Sequence, residues 1–220
     1  YLTELGMEVL TGKDVCREEA RIGVPDPDIL ERHFSQVKEQ GAPARFLTEE
    51  LEQGYTGVVG ILRCGGGPTV ALRFDIDALP MEEAEDLEHR PFREGFSSQN
   101  PGMMHACGHD CHAAIGLGTA RILSELRDQL HGTVKFLFQP GEEGTKGAYA
   151  MVEKGHLDGV DYFAGTHVAP DDKEDDGDIT PGTYGSLATC KYNVFFHGQA
   201  AHAGGFPEEG KNAVLAAAHA

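Results

Sequence analysis

Long apolar runs are missing from this 220-residue sequence, and positive charge is scarce: 18 Lys and Arg face 36 Asp and Glu, a formal net charge of −18. No run is long enough to span a bilayer, and nothing at the start reads as a secretory signal. The acidic balance argues against nucleic acid or an anionic membrane as the main partner, because both carry the same sign. Internal repeats are absent. Cysteine is sparse and odd in number, at Cys16, Cys64, Cys107, Cys111 and Cys190. A chain of this length does not need disulfide staples, and two of the thiols sit in a histidine-rich octet. They read as metal-binding or catalytic groups in a reducing, cytoplasmic setting.

What is present fits a loop-rich globular protein, with 40% hydrophobic residues and 29 glycines. The length suffices for one core and part of a second. Residues 1–5 read as the middle of a helix. Asp26, Pro27 and the spacing of Ile29, Leu30, Phe34 and Val37 predict a helix over 25–40 that stops at Gly41. A short helix is predicted over 44–53. Segments 57–63 and 69–74 read as two strands around the turn Gly65-Gly66-Gly67-Pro68. Helices over 112–130 and 146–154 then alternate with strands at 134–138 and 160–166. That order predicts an α/β fold with a mostly parallel sheet flanked by helices. The acidic run 171–178 reads as a solvated loop. A strand at 191–198 and an alanine-rich helix from Asn212 read as the opening of a second domain.

Chemistry concentrates in four places. His105-Ala106-Cys107-Gly108-His109-Asp110-Cys111-His112 packs three imidazoles, two thiols and a carboxylate into eight residues. Thiolate and imidazole suit zinc and related ions, and the glycine lets the backbone turn so that neighbours converge. Glu142 and Glu143, between Gly141 and Gly144, follow a buried strand; one carboxylate suits a metal while the other does acid–base work. His167 ends another strand, and Asp75 and Asp77 end a third. Each also has a bland reading, as a cap, a turn or a structural histidine. Together they gain weight, because sites in open α/β sheets form outside the carboxyl ends of strands. A closed structural zinc site made of Cys107, Cys111, His109 and His112 is the rival arrangement.

The strings Phe74-Asp-Ile-Asp-Ala-Leu-Pro80, Met104-His-Ala-Cys-Gly-His-Asp110, Phe138-Gln-Pro-Gly-Glu-Glu-Gly144 and Gly198-Gln-Ala-Ala-His-Ala203 resemble the amidohydrolase branch of the M20 metallopeptidases. The resemblance implies a zinc-peptidase-like catalytic domain over 1–186 and the start of an α+β lid or dimerisation domain over 187–220. It implies two divalent metal ions, Zn²⁺ or Mn²⁺, on Cys107, His109, Glu143 and His167. Glu142 would be the general base, Asp77 would orient a ligand imidazole, His202 would stabilise the oxyanion, and Asn212 would help hold the substrate carboxylate. The implied reaction is hydrolysis of the amide of N-acyl or N-aroyl amino acids, p-aminobenzoyl-glutamate among them, by a homo- or heterodimer paired through the lid. A metal-binding, non-catalytic subunit is the alternative. The family pattern has one more histidine ligand, beyond the position of Ala220, so the sequence reads as a fragment; Gly141 stands where Ala is usual and Cys111 where Gly is usual.

Overall fold

The computed structural model describes residues 1–168, 179, 180, 182, 184, 185 and 192–220. Two compact units divide the chain, Tyr1–Pro170 and Asp171–Ala220. The acidic run 171–178 and Cys190 lie outside the described residues.

Residues 2–6 form turns, where residues 1–5 read as the middle of a helix, and lead into an edge strand, β1 (Glu8–Thr11). The Leu5 and Met7 N–H groups both turn back onto the Leu2 carbonyl at 3.2 Å, which closes the chain into a turn, and Leu2 and Met7 are buried in the core. Next come α1 (Pro27–Glu39) and the one-turn α2 (Glu49–Glu52), whose Thr48 caps the Leu51 N–H. Asp26 occupies the N-cap position of α1 without a side-chain capping bond. The strands β2 (Val58–Arg63) and β3 (Thr69–Asp75) follow, then α3 (Arg90–Arg93), α4 (His109–Glu125), β4 (Thr133–Gln139), α5 (Gly147–Glu153) and β5 (Tyr162–Gly165).

The five strands lie in the order β1-β2-β4-β3-β5. β3 runs parallel to both β4 and β5, whereas β2 is antiparallel to β1 and β4. All strands except β2 therefore point the same way, which is the mostly parallel α/β sheet expected. β2 and β3 are not hairpin partners, because β4 inserts between them. The period-2 alternation of the strands builds a core on each face. Val59, Ile61, Ala71 and Leu137 pack with Ala150 and Met151 of α5 on one side. Leu62, Phe74, Phe136 and Phe138 pack with Ala120 of α4 on the other. Gly116 of α4 lets the helix lie close to the sheet, since a Cβ there would sit 2.8 Å from the Phe138 ring and 2.9 Å from Phe74.

In the second unit, α6 (Ala213–His219) starts at Asn212, whose Oδ1 accepts the Leu215 N–H at 3.0 Å. The expected strand at 191–198 is not formed among its described residues, 192–198; Gln199 instead makes a single antiparallel bridge with Lys211. Among the described residues no helix is long and apolar enough to cross a membrane.

Candidate metal centre

The parallel register puts the carboxyl ends of β3, β4 and β5 along one edge, with Asp75 opposite Gln139 and Arg73 opposite Gly165. The segments leaving that edge carry Asp77, Glu142 with Glu143, and His167, and the amino end of α4 brings His109 to meet them. His109 is the hub. It is fully buried, with Nδ1 3.2 Å from Asp77 Oδ1 and Nε2 3.9 Å from both Glu142 Oε2 and Glu143 Oε1. The Asp75 carboxylate lies 3.7 Å from the same Nε2. Cys107 Sγ lies 3.4 Å from His167 Nε2. Donor atoms of Cys107, His109 and His167 lie within 4.8 Å of one another, as do those of His109, Glu142 and Glu143 and those of Asp75, His109 and His112.

Local backbone chemistry aims these groups. Gly108, the N-cap of α4, has φ +78°, and a Cβ there would fall 2.5 Å from Val168 Cγ2. The Glu142–Glu143 turn is stitched by Thr145 N–H to the Glu142 carbonyl at 2.8 Å and by Gly147 N–H to the Gly141 carbonyl at 2.8 Å. Gly147 is required for this turn, since a Cβ would sit 1.6 Å from the Pro140 carbonyl oxygen. Thr145, at φ 60°, carries a left-handed backbone unusual for a β-branched residue. Such strain persists only where surrounding structure holds it, and here the turn presents the two carboxylates.

The electrostatics are lopsided. Asp75, Asp77, Glu142, Glu143 and the Cys107 thiol surround His109 and His167, and Arg73, 2.7 Å from Asp75, is the one Lys or Arg paired with these acids among the described residues. Burial first, then the hydrogen bond and charge of Glu143, push the Cys107 thiol above its ordinary value. Burial likewise opposes ionisation of Asp75, but the hydrogen bond from His112 and the Arg73 guanidinium outweigh it and hold the carboxyl below the usual range. Both nitrogens of His109 are buried without a hydrogen-bond partner; the approach of Asp77 is close but not aligned as a hydrogen bond. Leaving a buried ring nitrogen unmet is costly, and a cation would satisfy it. Donors sharing one tetrahedral zinc at about 2.0–2.3 Å lie about 3.3–3.8 Å apart. The 3.4 Å separation falls inside that range and the 3.9 Å separations just outside it, so the residues present fit divalent metal.

The structure thus gathers Cys107, His109, Glu142, Glu143, His167 and Asp77 in one place. His202 and Asn212 belong to the second unit, where His202 Nδ1 accepts the Gly204 N–H at 3.3 Å and Asn212 caps α6. The rival four-donor zinc site is not assembled: Cys111 joins no donor group among the described residues, and both nitrogens of His112 are hydrogen-bonded within the protein. Sequence reasoning misses Arg73 and Val168, and it offers His112 only as a ligand of the rival zinc site. The i, i+3 spacing of His109 and His112 on a helix is the available signal.

Fold and site together define an α/β domain with a carboxylate, imidazole and thiol centre at its strand ends. Residues 71–219 match the family model described as Peptidase family M20/M25/M40, and the chain belongs to that family. It is 50% identical over its whole length to an indole-3-acetyl-aspartic acid hydrolase of Enterobacter agglomerans, and 47% identical to a p-aminobenzoyl-glutamate hydrolase subunit of Escherichia coli strain K12. It spans 50% of the length of each of these relatives. The crystal structure of Bacillus subtilis YXEP protein, a dinuclear metal-binding peptidase of family M20, shares the fold with a TM-score of 0.52 and 36% identity, over 77% of this chain and 35% of that one.

Proposed function

We propose that the protein is a two-metal amidohydrolase that cleaves the amide bond of N-acyl or N-aroyl amino acids. The observation that carries this reading is His109, buried with both ring nitrogens unmet and faced by Glu142 and Glu143, which pair with no Lys or Arg among the described residues. Cys107, His109, Glu143 and His167 hold the divalent ions, zinc or manganese; the thiol favours zinc and the carboxylates also suit manganese. When bound, such ions lower the pKa of a water and polarise the amide carbonyl.

The chain's own residues do the rest. Glu142 takes a proton from the attacking water as its oxygen bonds to the carbonyl carbon, then delivers that proton to the nitrogen as the C–N bond breaks. Asp77 orients His109. Residues 1–186 form the catalytic domain and 187–220 begin a lid. From the lid His202 stabilises the oxyanion and Asn212 binds the substrate carboxylate, with the lid also pairing the chain with a like or unlike partner chain. Substrates of the kind named for the two bacterial relatives, an indoleacetyl-aspartate or a p-aminobenzoyl-glutamate, supply the apolar acyl group and acidic leaving amine that this reading requires.

The test is Glu142→Gln in the full-length protein, assayed on both substrates with elemental analysis of the metal. Turnover is expected to fall by about 10²-fold or more with metal content unchanged. Undiminished turnover removes Glu142 from the role, and an unmodified protein that binds metal yet hydrolyses neither amide, with or without a partner chain, identifies a non-catalytic subunit.

A further inference from the structure

We infer that His112 is a positioning residue: it locks the backbone of Val168 and thereby fixes His167, without itself touching metal. The inference rests on the reading of His167 as a ligand. His112 is fully buried in the first turn of α4. Its Nε2 accepts the Val168 N–H at 2.8 Å, so that nitrogen carries no hydrogen. The ring's hydrogen is therefore on Nδ1, which donates to Asp75 Oδ1. Both ring nitrogens are committed, which leaves no lone pair for a cation.

Asp75 is anchored in turn. Its Oδ2 meets Arg73 Nη1 at 2.7 Å, and Arg73 Nε donates to Gln139 Oε1 at 2.8 Å. A continuous polar chain thus runs from β4 through β3 and α4 to the segment after β5. It ends beside the candidate ligand: the Val168 carbonyl accepts from His167 Nδ1 at 2.7 Å. With Nδ1 donating, His167 presents the lone pair of Nε2 toward Cys107, 3.4 Å away. His167 is exposed and follows an edge strand whose four residues are all exposed. The deeply buried anchor for this segment is the His112 ring, whose centroid lies 4.6 Å from that of His167.

The test uses the full-length protein as wild type, His112→Phe, His112→Gln, His167→Ala and the His112→Phe/His167→Ala pair, with Zn²⁺ affinity measured by chelator competition. Loss of such an orienting contact is expected to weaken metal binding about 10–100-fold in His112→Phe. His112→Gln, whose amide oxygen still accepts the Val168 N–H, is expected to recover part of that loss. The double variant is expected to bind no more weakly than His167→Ala alone, because the two residues act through one contact. Additive losses, or wild-type affinity in His112→Phe, overturn the inference while leaving His167 a ligand. Wild-type affinity in His167→Ala instead sinks the ligand reading beneath it. Should the phenylalanine variant not fold, ¹⁵N spectra of the unmutated, metal-free protein decide: an unprotonated His112 Nε2 with a protected Val168 amide supports the inference, and a protonated Nε2 overturns it.

Discussion

Asp77 holds Glu143 by the backbone: its Oδ2 accepts the Glu143 N–H at 2.9 Å while its Oδ1 accepts that of Glu142 at 3.0 Å. The same carboxylate lies 3.2 Å from His109 Nδ1. One side chain from the end of β3 therefore ties the turn after β4 to the amino end of α4. Asp77→Asn keeps the size but turns one of the two oxygens into a donor, which must face a backbone N–H or the ring. Charge-assisted bonds of this kind contribute about 1.5–3 kcal/mol each. The expected outcome is a lower urea midpoint together with metal affinity reduced about 10–100-fold. Unchanged affinity by chelator competition would separate Asp77 from the ligand cluster.

Gly108 meets two constraints at once, a left-handed backbone at φ +78° and the Val168 side chain where its Cβ would be, at 2.5 Å. Gly108→Ala is expected to destabilise by about 1–3 kcal/mol. Adding Val168→Ala should return the steric share of the loss but not the backbone share. The double variant should therefore lie between Gly108→Ala and Val168→Ala in urea titration. Full recovery would assign the whole effect to the clash.

The site is far more legible in the sequence than the contacts that hold it. Cys107, His109, Glu142, Glu143 and His167 announce themselves because metal and proton chemistry uses few residue types, and strands that hydrophobic runs disclose lead into most of them. Pairing is different, because it depends on partners distant in the chain. The turn at 65–68 suggests a hairpin, yet β4 enters between β2 and β3, since its Phe136 and Phe138 complete the apolar face opposite α4. β1 is not anticipated for the same reason: its ladder partner, β2, begins 47 residues beyond the end of β1, at Val58 against Thr11. His112 is chemically indistinguishable from a ligand until the Val168 amide is seen to occupy it.

Metal removal separates a catalytic centre from a structural one. Of the candidate ligands and Glu142, only His109 is fully buried, whereas Cys107, Glu142 and Glu143 are half-buried and His167 is exposed. Chelation of the full-length protein is accordingly expected to abolish hydrolysis while the far-ultraviolet circular dichroism persists, with activity returning on addition of Zn²⁺ or Mn²⁺. Cooperative unfolding on chelation would mark the ions as part of the fold. Cys107→Ser should lower metal stoichiometry by elemental analysis, since a hydroxyl is a far poorer ligand than a thiolate.

His156, packed against Asp14 and Val15, is expected to make part of the stability acid-sensitive. Its ring is buried, with Nε2 3.0 Å from the Val15 carbonyl oxygen and 3.1 Å from that of Asp14. Burial pushes the imidazole pKa below its ordinary value; the two carbonyls oppose this, while Lys135 and Lys154 reinforce it. Between the depressed folded value and the unfolded value of about 6.5, the unfolded chain binds more protons than the folded one. This contribution is therefore fully present above about pH 6.5 and is lost as the pH falls through the folded pKa. His156→Gln keeps an N–H to donate but does not titrate. Between about pH 7.5 and about pH 5.5 the urea midpoint should fall further in the wild type than in the variant. Equal falls would place the acid sensitivity in other groups.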